Sequence, residues 1–316
     1  MNILITSVGV RTKLVGYFKN HFDKVVATDC SHLAPALYSA HKYHLVPHMA
    51  SPDYLQVIKE VCLKENINGI LSLIDPEQRF LAEKKGVFEE IGVTVIGSSK
   101  EVCDLCFDKW KMYNFLKENN FKTAKSYIDL SSFMEDYLNN NISFPVFIKP
   151  ITGSGSVGAQ KISDLNFLEL LFNSQEGLII QSYIEGQEYS VDVYRDTNSN
   201  EVVSIFTKKK ISMRAGESDK AVSFKDEKLF SLIKDLVDKL GASGPIDIDI
   251  FDADDELYIL EVNPRFGGSY PHAYECGENF PQMILENLRG NVLSPKIGTY
   301  ENDIYMLKHY DIKIIN

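Results

Sequence analysis

Long apolar runs are missing from this chain: no stretch approaches the roughly 20 residues that a membrane-spanning helix needs. Cysteine is scarce and odd in number, at five residues (Cys30, Cys62, Cys103, Cys106, Cys276) in a chain of 316. Disulfide frameworks belong to short secreted chains, so reduced, mostly buried thiols and a cytoplasmic protein are expected. Cys103 and Cys106 form a CxxC without the second pair a zinc site would want, so they are expected to pack on a helix. Positive charge is short as well, with 33 Lys and Arg against 44 Asp and Glu and a net charge of −11. That disfavours a nucleic-acid backbone as partner, which needs a basic face, although a small anionic ligand needs only local positive charge. The opening MNILITSVGV has no basic leader and runs straight into a strand pattern, so no signal peptide is expected. Repeats and low-complexity tracts are absent too.

What is present is an alternation. In residues 1–98 the short apolar runs NILITSV, KVVATDC, INGILSLID and VTVIGS are separated by helical patterns such as RTKLVGYFKNH, PDYLQVIKEVCLKEN and PEQRFLAEKKGVFEEIG. Strands alternating with helices imply a Rossmann-like parallel sheet, with functional residues at the strands' carboxyl ends. Those ends carry residues 7–11, Asp29, and Asp75-Pro76-Glu77. A nicotinamide dehydrogenase would use such a domain, and Asp29 follows Gly9 at a ribose-acid spacing. The loop S-V-G-V-R has a single glycine, however, and not GxGxxG, so a dinucleotide site is not expected.

Beyond residue 98 the pattern changes. SKEVCDLCFDKWKMYNFLKENNF is helical, SSFMEDYLNNNISF reads as a polar connection, and FPVFIKPITGSGSVGAQKI reads as strand, glycine loop, strand. LIIQSYIEGQEYSVDVYRD and EVVSIFTKKKISM continue a sheet, KDEKLFSLIKDLVDKLG is a helix, residues 281–290 are helical, and NDIYMLKHYDIKII is strand-like.

The segment GPIDIDIFDADDELYILEVN holds two apolar runs joined by Asp252-Ala253-Asp254-Asp255, the signature of a β-hairpin. A turn near Asp255 sets Asp249 opposite Glu261, and alternation places Asn263 on the same face as Glu261. Facing carboxylates repel, and a hard cation such as Mg²⁺, which takes carboxylate and amide oxygens, converts that repulsion into binding. Neutralisation of Glu261 by Arg265 is the alternative; the flanking Ile and Leu speak against a merely solvated face.

Gly153-Ser154-Gly155-Ser156-Val157-Gly158 lies between two strands. Glycines let backbone N–H groups converge on an anion and serines add donors, but with no GK[ST] this is not a Walker A loop. Lys149 ends the strand before the loop, where a cation would meet phosphate. Lys109, Gln181-Ser182-Tyr183-Ile184 and Glu188 each read individually as structural: an exposed helix lysine, a strand end and a turn acid.

Taken in order, these blocks resemble the ATP-grasp superfamily, especially enzymes similar to the large subunit of carbamoyl-phosphate synthase. The resemblance covers nearly the whole chain and is carried by FIKP, TGSGSVG, QSYIEG, RAGESDKAV and, most specifically, EVNPR. It implies an α/β chain: a Rossmann-like front domain (residues 1–98), then a two-part α+β ATP-grasp domain, with a lid carrying the glycine loop (99–184) and a central part carrying the hairpin (185–316). It implies ATP, bound by Lys109, Lys149, residues 153–158, Gln181, Ser182, Tyr183, Ile184 and Glu188. Gln181 stands where glutamate is frequent, which matters little if adenine is read through backbone.

The resemblance further implies Mg²⁺, or Mn²⁺ in its place, on Asp249, Glu261 and Asn263, with Asp247 in reserve. Arg265, Lys149 and Arg214 would be catalytic. The activity implied is carboxylate–amine ligation through an acyl phosphate on small-molecule substrates. A homodimer is the candidate assembly, with no nucleic-acid or membrane partner expected. Phosphorylation of carbamate or a non-catalytic ATP-binding module are the alternatives. A second synthase-like half and a glutaminase domain are not found. Asp75 and Glu77 are expected to hold the amine, and Arg214, Arg265 and His272 the carboxylate. The plainer reading has Asp75 capping a helix that opens at Pro76 and Glu77 favouring its first turn.

Overall fold

The computed structural model describes residues 1–153, 155, 157–214 and 216–315, so Ser154 and Ser156 of the loop lie outside the described residues. The front of the chain forms a parallel sheet of β1 (Asn2–Thr6), β2 (Lys24–Asp29), β3 (Lys42–Leu45), β4 (Gly69–Ser72) and β5 (Thr94–Val95), in spatial order β3-β2-β1-β4-β5. Alternation along β1 explains its burial on both faces. Ile3 and Ile5 join Leu14, Val15 and Phe18 on one side, while Leu4 joins Val26, Ile58 and Phe88 on the other. The strand β3 went unrecognised because KYHL is polar and half exposed, yet it pairs with β2 from Val26↔Lys42 to Asp29↔Leu45.

A four-stranded antiparallel sheet follows, built from β6 (Ser126–Tyr127), β7 (Val146–Pro150), β8 (Gln160–Ile162) and β9 (Leu178–Ser182), in order β6-β9-β7-β8. Its core holds Phe133, Ile148, Leu168 and Ile180. Phe133 belongs to a helix, Leu130–Leu138, in the segment expected to be a connection. Asp129 starts that helix by accepting from the Ser132 N–H at 2.8 Å, and the fully buried Phe133 anchors it.

The third sheet is six-stranded: β10 (Gln187–Arg195), β11 (Val202–Arg214), β12 (Glu217–Phe224), β13 (Gly244–Ala253), β14 (Glu256–Asn263) and β15 (Tyr305–Leu307), in order β14-β13-β10-β11-β12-β15. The helix Glu227–Leu240 buries Leu229, Ile233, Leu236 and Val237 in the core that also holds Val191, Ile205 and Ile248. That core runs on into the front domain through Ile5, Phe18 and Phe266, so the front sheet and the large sheet are packed together. Of the strand-like tail, Tyr305–Leu307 forms the strand that pairs with β12. No helix among the described residues is long and apolar enough to cross a membrane. Cys103 and Cys106 are buried on the helix Lys100–Phe107, as packing residues.

Candidate active site

The hairpin of β13 and β14 sets Asp249 opposite Glu261 and Asp247 opposite Asn263. A bulge lies between Asp249 and Ile250, where the register jumps to Ile250↔Ile259. Leu260 is the extra residue, and it lines the same cavity as its neighbour Glu261 instead of turning to the opposite face. Beneath the hairpin, Asp247 accepts from Asn263 Nδ2 at 3.5 Å and lies 3.7 Å from Arg265 Nη1. Two glycines after Arg265 make room for acids. A Cβ on Gly267 would come within 2.5 Å of Asp247 Oδ1, and one on Gly268 within 2.3 Å of the Glu217 carboxyl carbon.

Lys210 of β11 reaches this group from two strands away. Its Nζ lies 2.8 Å from Asp249 Oδ1 and donates to Glu188 Oε1 at 2.6 Å. Burial disfavours the Lys210 charge, but Asp249 and Glu188 outweigh it and raise its pKa. Burial pushes the Asp249 carboxyl up, Lys210 pulls it back, and Asp247 and Glu188 push it up again. The sequence reading passed over Lys210. Lys208 and Lys210 share one face of β11 and Lys208 is fully buried against Asp192, but neither partner is adjacent in sequence, so the lysine run alone does not mark Lys210.

A cavity of about 220 Å³ lies between the two antiparallel sheets, bounded by Lys109, Lys149, Gly153, Val157, Gln181, Ser182, Ile184, Glu188, Asp249 and Glu261. Lys109 gets there because the long helical stretch is broken. Asp108 has an extended backbone and caps a new helix, Lys109–Glu118, by accepting from the Trp110 and Lys111 N–H groups, both at 3.0 Å. The Lys109 N–H donates to Ile151 O at 3.0 Å and its Nζ to Gly153 O at 2.8 Å, which ties the helix start to the glycine loop. Lys149 is half-buried at the cavity wall. Burial lowers its pKa, the Glu261 charge offsets part of that, and Lys109 lowers it further.

A second cavity, of about 170 Å³, lies toward the front domain, and its walls include Arg11, Asp75, Gly155, Glu217, Asn263 and Arg265. Glu188, Asp249 and Glu261 border both cavities. Arg265 joins the domains: its Nε donates to Asp75 Oδ2 at 3.0 Å and its Nη1 to Phe266 O at 3.0 Å. The helix starts at Asp75, with Ile74 as its cap residue and no side-chain cap, so the capping role imagined for Asp75 is replaced by a pair with Arg265.

Other expected site residues are not brought together. Glu77 has no exposed surface; hydroxyls of Thr6 (2.7 Å), Ser72 (2.5 Å) and Tyr54 donate to its carboxylate, and it lines neither cavity. His272 is buried against Phe206, with its ring Nε2 2.9 Å from Ile304 O, and burial lowers its pKa to about 4. Arg214 pairs with Asp219 and Tyr310 near the surface. Tyr183 does not line the first cavity, unlike Gln181, Ser182 and Ile184, and packs under Lys161, whose Nζ is 3.7 Å from its ring centre. Gly158, with φ +75°, turns the loop back against Pro150.

The residues present fit a magnesium ion. No three His, Cys, Asp or Glu side chains among the described residues form a ready cage. Mg²⁺ does not ask for one, since it takes one or two carboxylates and completes its shell with phosphate and water. Asp249 and Glu261 face each other with Asn263 two residues on, and are the oxygen-bearing side chains here that could hold such an ion.

The fold is shared with solved structures. The Hydrogenobacter thermophilus 2-oxoglutarate carboxylase biotin carboxylase domain, in complex with MgADP and bicarbonate, matches with a TM-score of 0.76 at 18% identity, over 96% of this chain and 73% of that one. An L-amino acid ligase from Bacillus licheniformis matches with a TM-score of 0.69 at 20% identity, over 91% and 73%. Among curated sequences, a carbamoyl phosphate synthase large chain from Clostridium acetobutylicum is 25% identical over 256 residues, covering 76% of this chain and 24% of that one. A phosphoribosylamine–glycine ligase from Helicobacter pylori is 33% identical over 142 residues, 44% of this chain and 32% of that one. This chain therefore spans about a quarter to a third of those two relatives. Residues 3–96 match the family model described as a PylC-like N-terminal domain, and residues 106–269 match that of the ATP-grasp domain.

Proposed function

The chain belongs to the ATP-grasp family, and from that membership we propose that it is an ATP-dependent ligase joining a carboxylate to an amine. The observation that carries this reading is the pair of cavities meeting at Glu188, Asp249 and Glu261. One cavity has the lysines and glycine loop suited to a nucleotide, and the other has arginines and acids suited to a small charged substrate. ATP would occupy the first, its adenine beside residues 181–184 and its phosphates toward Lys109, Lys149 and the loop. Asp249, Glu261 and Asn263 would hold Mg²⁺, which when bound neutralises charge on the phosphate oxygens.

A carboxylate oxygen of the substrate attacks the γ-phosphorus, the bond to the β,γ-bridging oxygen breaks, and ADP leaves. The nitrogen lone pair of the amine then attacks the acyl carbon of the resulting acyl phosphate. The C–O bond to phosphate breaks, inorganic phosphate leaves, and the nitrogen gives up a proton to form the amide. Lys149 and Arg265 stabilise the charge that develops on the transferring oxygens. No protein nucleophile is needed. Closure of the glycine loop would exclude water from the acyl phosphate.

The test is ADP release from ATP across pairs of amino acids, with mass detection of the amide. ADP formation that requires both a carboxylate and an amine, with one amide per ADP, is expected. MgATP binding without turnover on any pair would overturn the ligase reading. A separate arm with bicarbonate and ammonium, which form carbamate in solution, examines carbamate phosphorylation, an alternative that the similarity to carbamoyl phosphate synthase supports.

A further inference from the structure

Arg11 has an incomplete set of contacts. It follows the loop after β1, precedes the helix Thr12–Lys19 and borders the second cavity. Its Nη2 donates to Glu217 Oε1 at 3.2 Å. Its Nη1 is enclosed and meets no hydrogen-bond acceptor among the described residues. An unmatched donor of this kind keeps its full desolvation cost, and native structures rarely hold one without a use. Burial lowers the Arg11 pKa, Glu217 offsets part of this, and Arg265 lowers it further, so the site gains from an added anion.

Glu217 is well placed to aim that guanidinium. Its Oε2 accepts from Lys308 Nζ at 2.8 Å, and its carboxyl rests where a Cβ on Gly268 would sit, 2.3 Å from its carboxyl carbon. With Nη2 fixed, Nη1 is left for a ligand. The remaining charges say which anion. Three cationic side chains and six carboxylates border the cavity. Arg265 is engaged by Asp75 and Asp247, and Lys210 by Asp249 and Glu188. A dianionic phosphate would meet an excess of carboxylates even with Asp249 and Glu261 given to a cation. A zwitterion would place its carboxylate on Arg11 and its ammonium among the acids.

We propose that Arg11 holds, through Nη1, the unreacting carboxylate of a free amino acid that serves as the amine substrate, with Glu217 as the positioning residue. This rests on the ligase reading above.

The test uses the full chain with MgADP present, and titrates glycine, L-alanine and L-lysine beside their α-carboxamides, following the unfolding midpoint. At least one amino acid should raise the midpoint where its amide does not. Arg11→Met should weaken that amino acid roughly tenfold to a hundredfold, the range of a charge-assisted hydrogen bond, and Arg11→Lys should recover only part. Glu217→Gln should also weaken it and should raise the KM of the amino acid more than it lowers kcat. If Arg11→Met fails to fold, Arg11→Lys and Glu217→Gln carry the same reading. The proposal is overturned if the amides bind as well as the acids, if no amino acid shifts the wild type, if inorganic phosphate alone does so, or if the variants keep wild-type affinity. MgADP affinity is read separately. Its absence from the wild type would instead defeat the ligase reading.

Discussion

Lys210 Nζ lies 2.8 Å from Asp249 Oδ1, so the acid expected to hold a metal is paired with a lysine from two strands away. The same Nζ binds Glu188, so one ammonium serves two carboxylates at the junction of the cavities. Lys210→Met would leave both acids uncompensated. Breaking a buried pair from one side costs about 3–5 kcal/mol, and that loss of stability is expected in metal-free urea unfolding. Excess MgADP should restore part of it, because a cation on Asp249 replaces the missing charge. Unchanged stability in the variant would show that the pair is idle.

Glu261 reaches both cavities only because Leu260 is bulged out of register with β13. Glu261→Gln keeps the shape of the side chain and removes its charge. ADP formation should fall by at least roughly a hundredfold, the scale of losing an electrostatic stabiliser at a reacting phosphate, while unfolding of the metal-free protein changes little. Full activity in Glu261→Gln would remove the metal from this hairpin.

Lys149 lies near Lys109, and the Glu261 charge offsets only part of what burial and Lys109 cost its own charge. Lys149→Ala should weaken ATP by roughly 1.5–3 kcal/mol in direct titration, the worth of a hydrogen bond to a charged group. An unaltered ATP affinity would mean that the phosphates lie elsewhere.

The hairpin was legible because acids at alternate positions of apolar strands are costly without a partner, but its register was not: the turn pairs Ala253 with Glu256 and by itself would set Asp249 opposite Leu260, and the bulge at Leu260 is what brings Asp249 opposite Glu261 and Asp247 opposite Asn263. The parallel front sheet was legible from Ile3, Leu4 and Ile5, consecutive apolar residues that only a doubly covered strand can bury. Lys210 and Arg11 were harder to see. Each earns its place from residues distant in sequence, Glu188 and Asp249 for one and Glu217 for the other, and periodicity is silent on such pairs. The helix Leu130–Leu138 was missed because it buries little beyond Phe133, so its exposed face reads as a loop.

Glu77 supplies a pH test that is independent of catalysis. Its carboxyl is buried beneath the front sheet, and that burial raises its pKa from 4.5 to about 7, against the pull of the hydroxyls of Ser7 and Thr6. Between those two values the folded chain holds a proton that the unfolded chain has lost. Folding therefore gains from Glu77 below pH 4.5, and the gain disappears as pH rises through about 7. The full swing is on the order of 3 kcal/mol. Glu77→Gln keeps a neutral group in the same space, so its stability should not show this decline, and above pH 7 the variant should be the more stable protein. The measurement is urea unfolding of both proteins across this range, with KM values taken in parallel. Since Glu77 lines neither cavity, the KM values for ATP and for the amine should stay at wild-type levels. A raised amine KM in Glu77→Gln would return this residue to the substrate site, and parallel pH curves for the two proteins would show that its carboxyl is ionised in the fold.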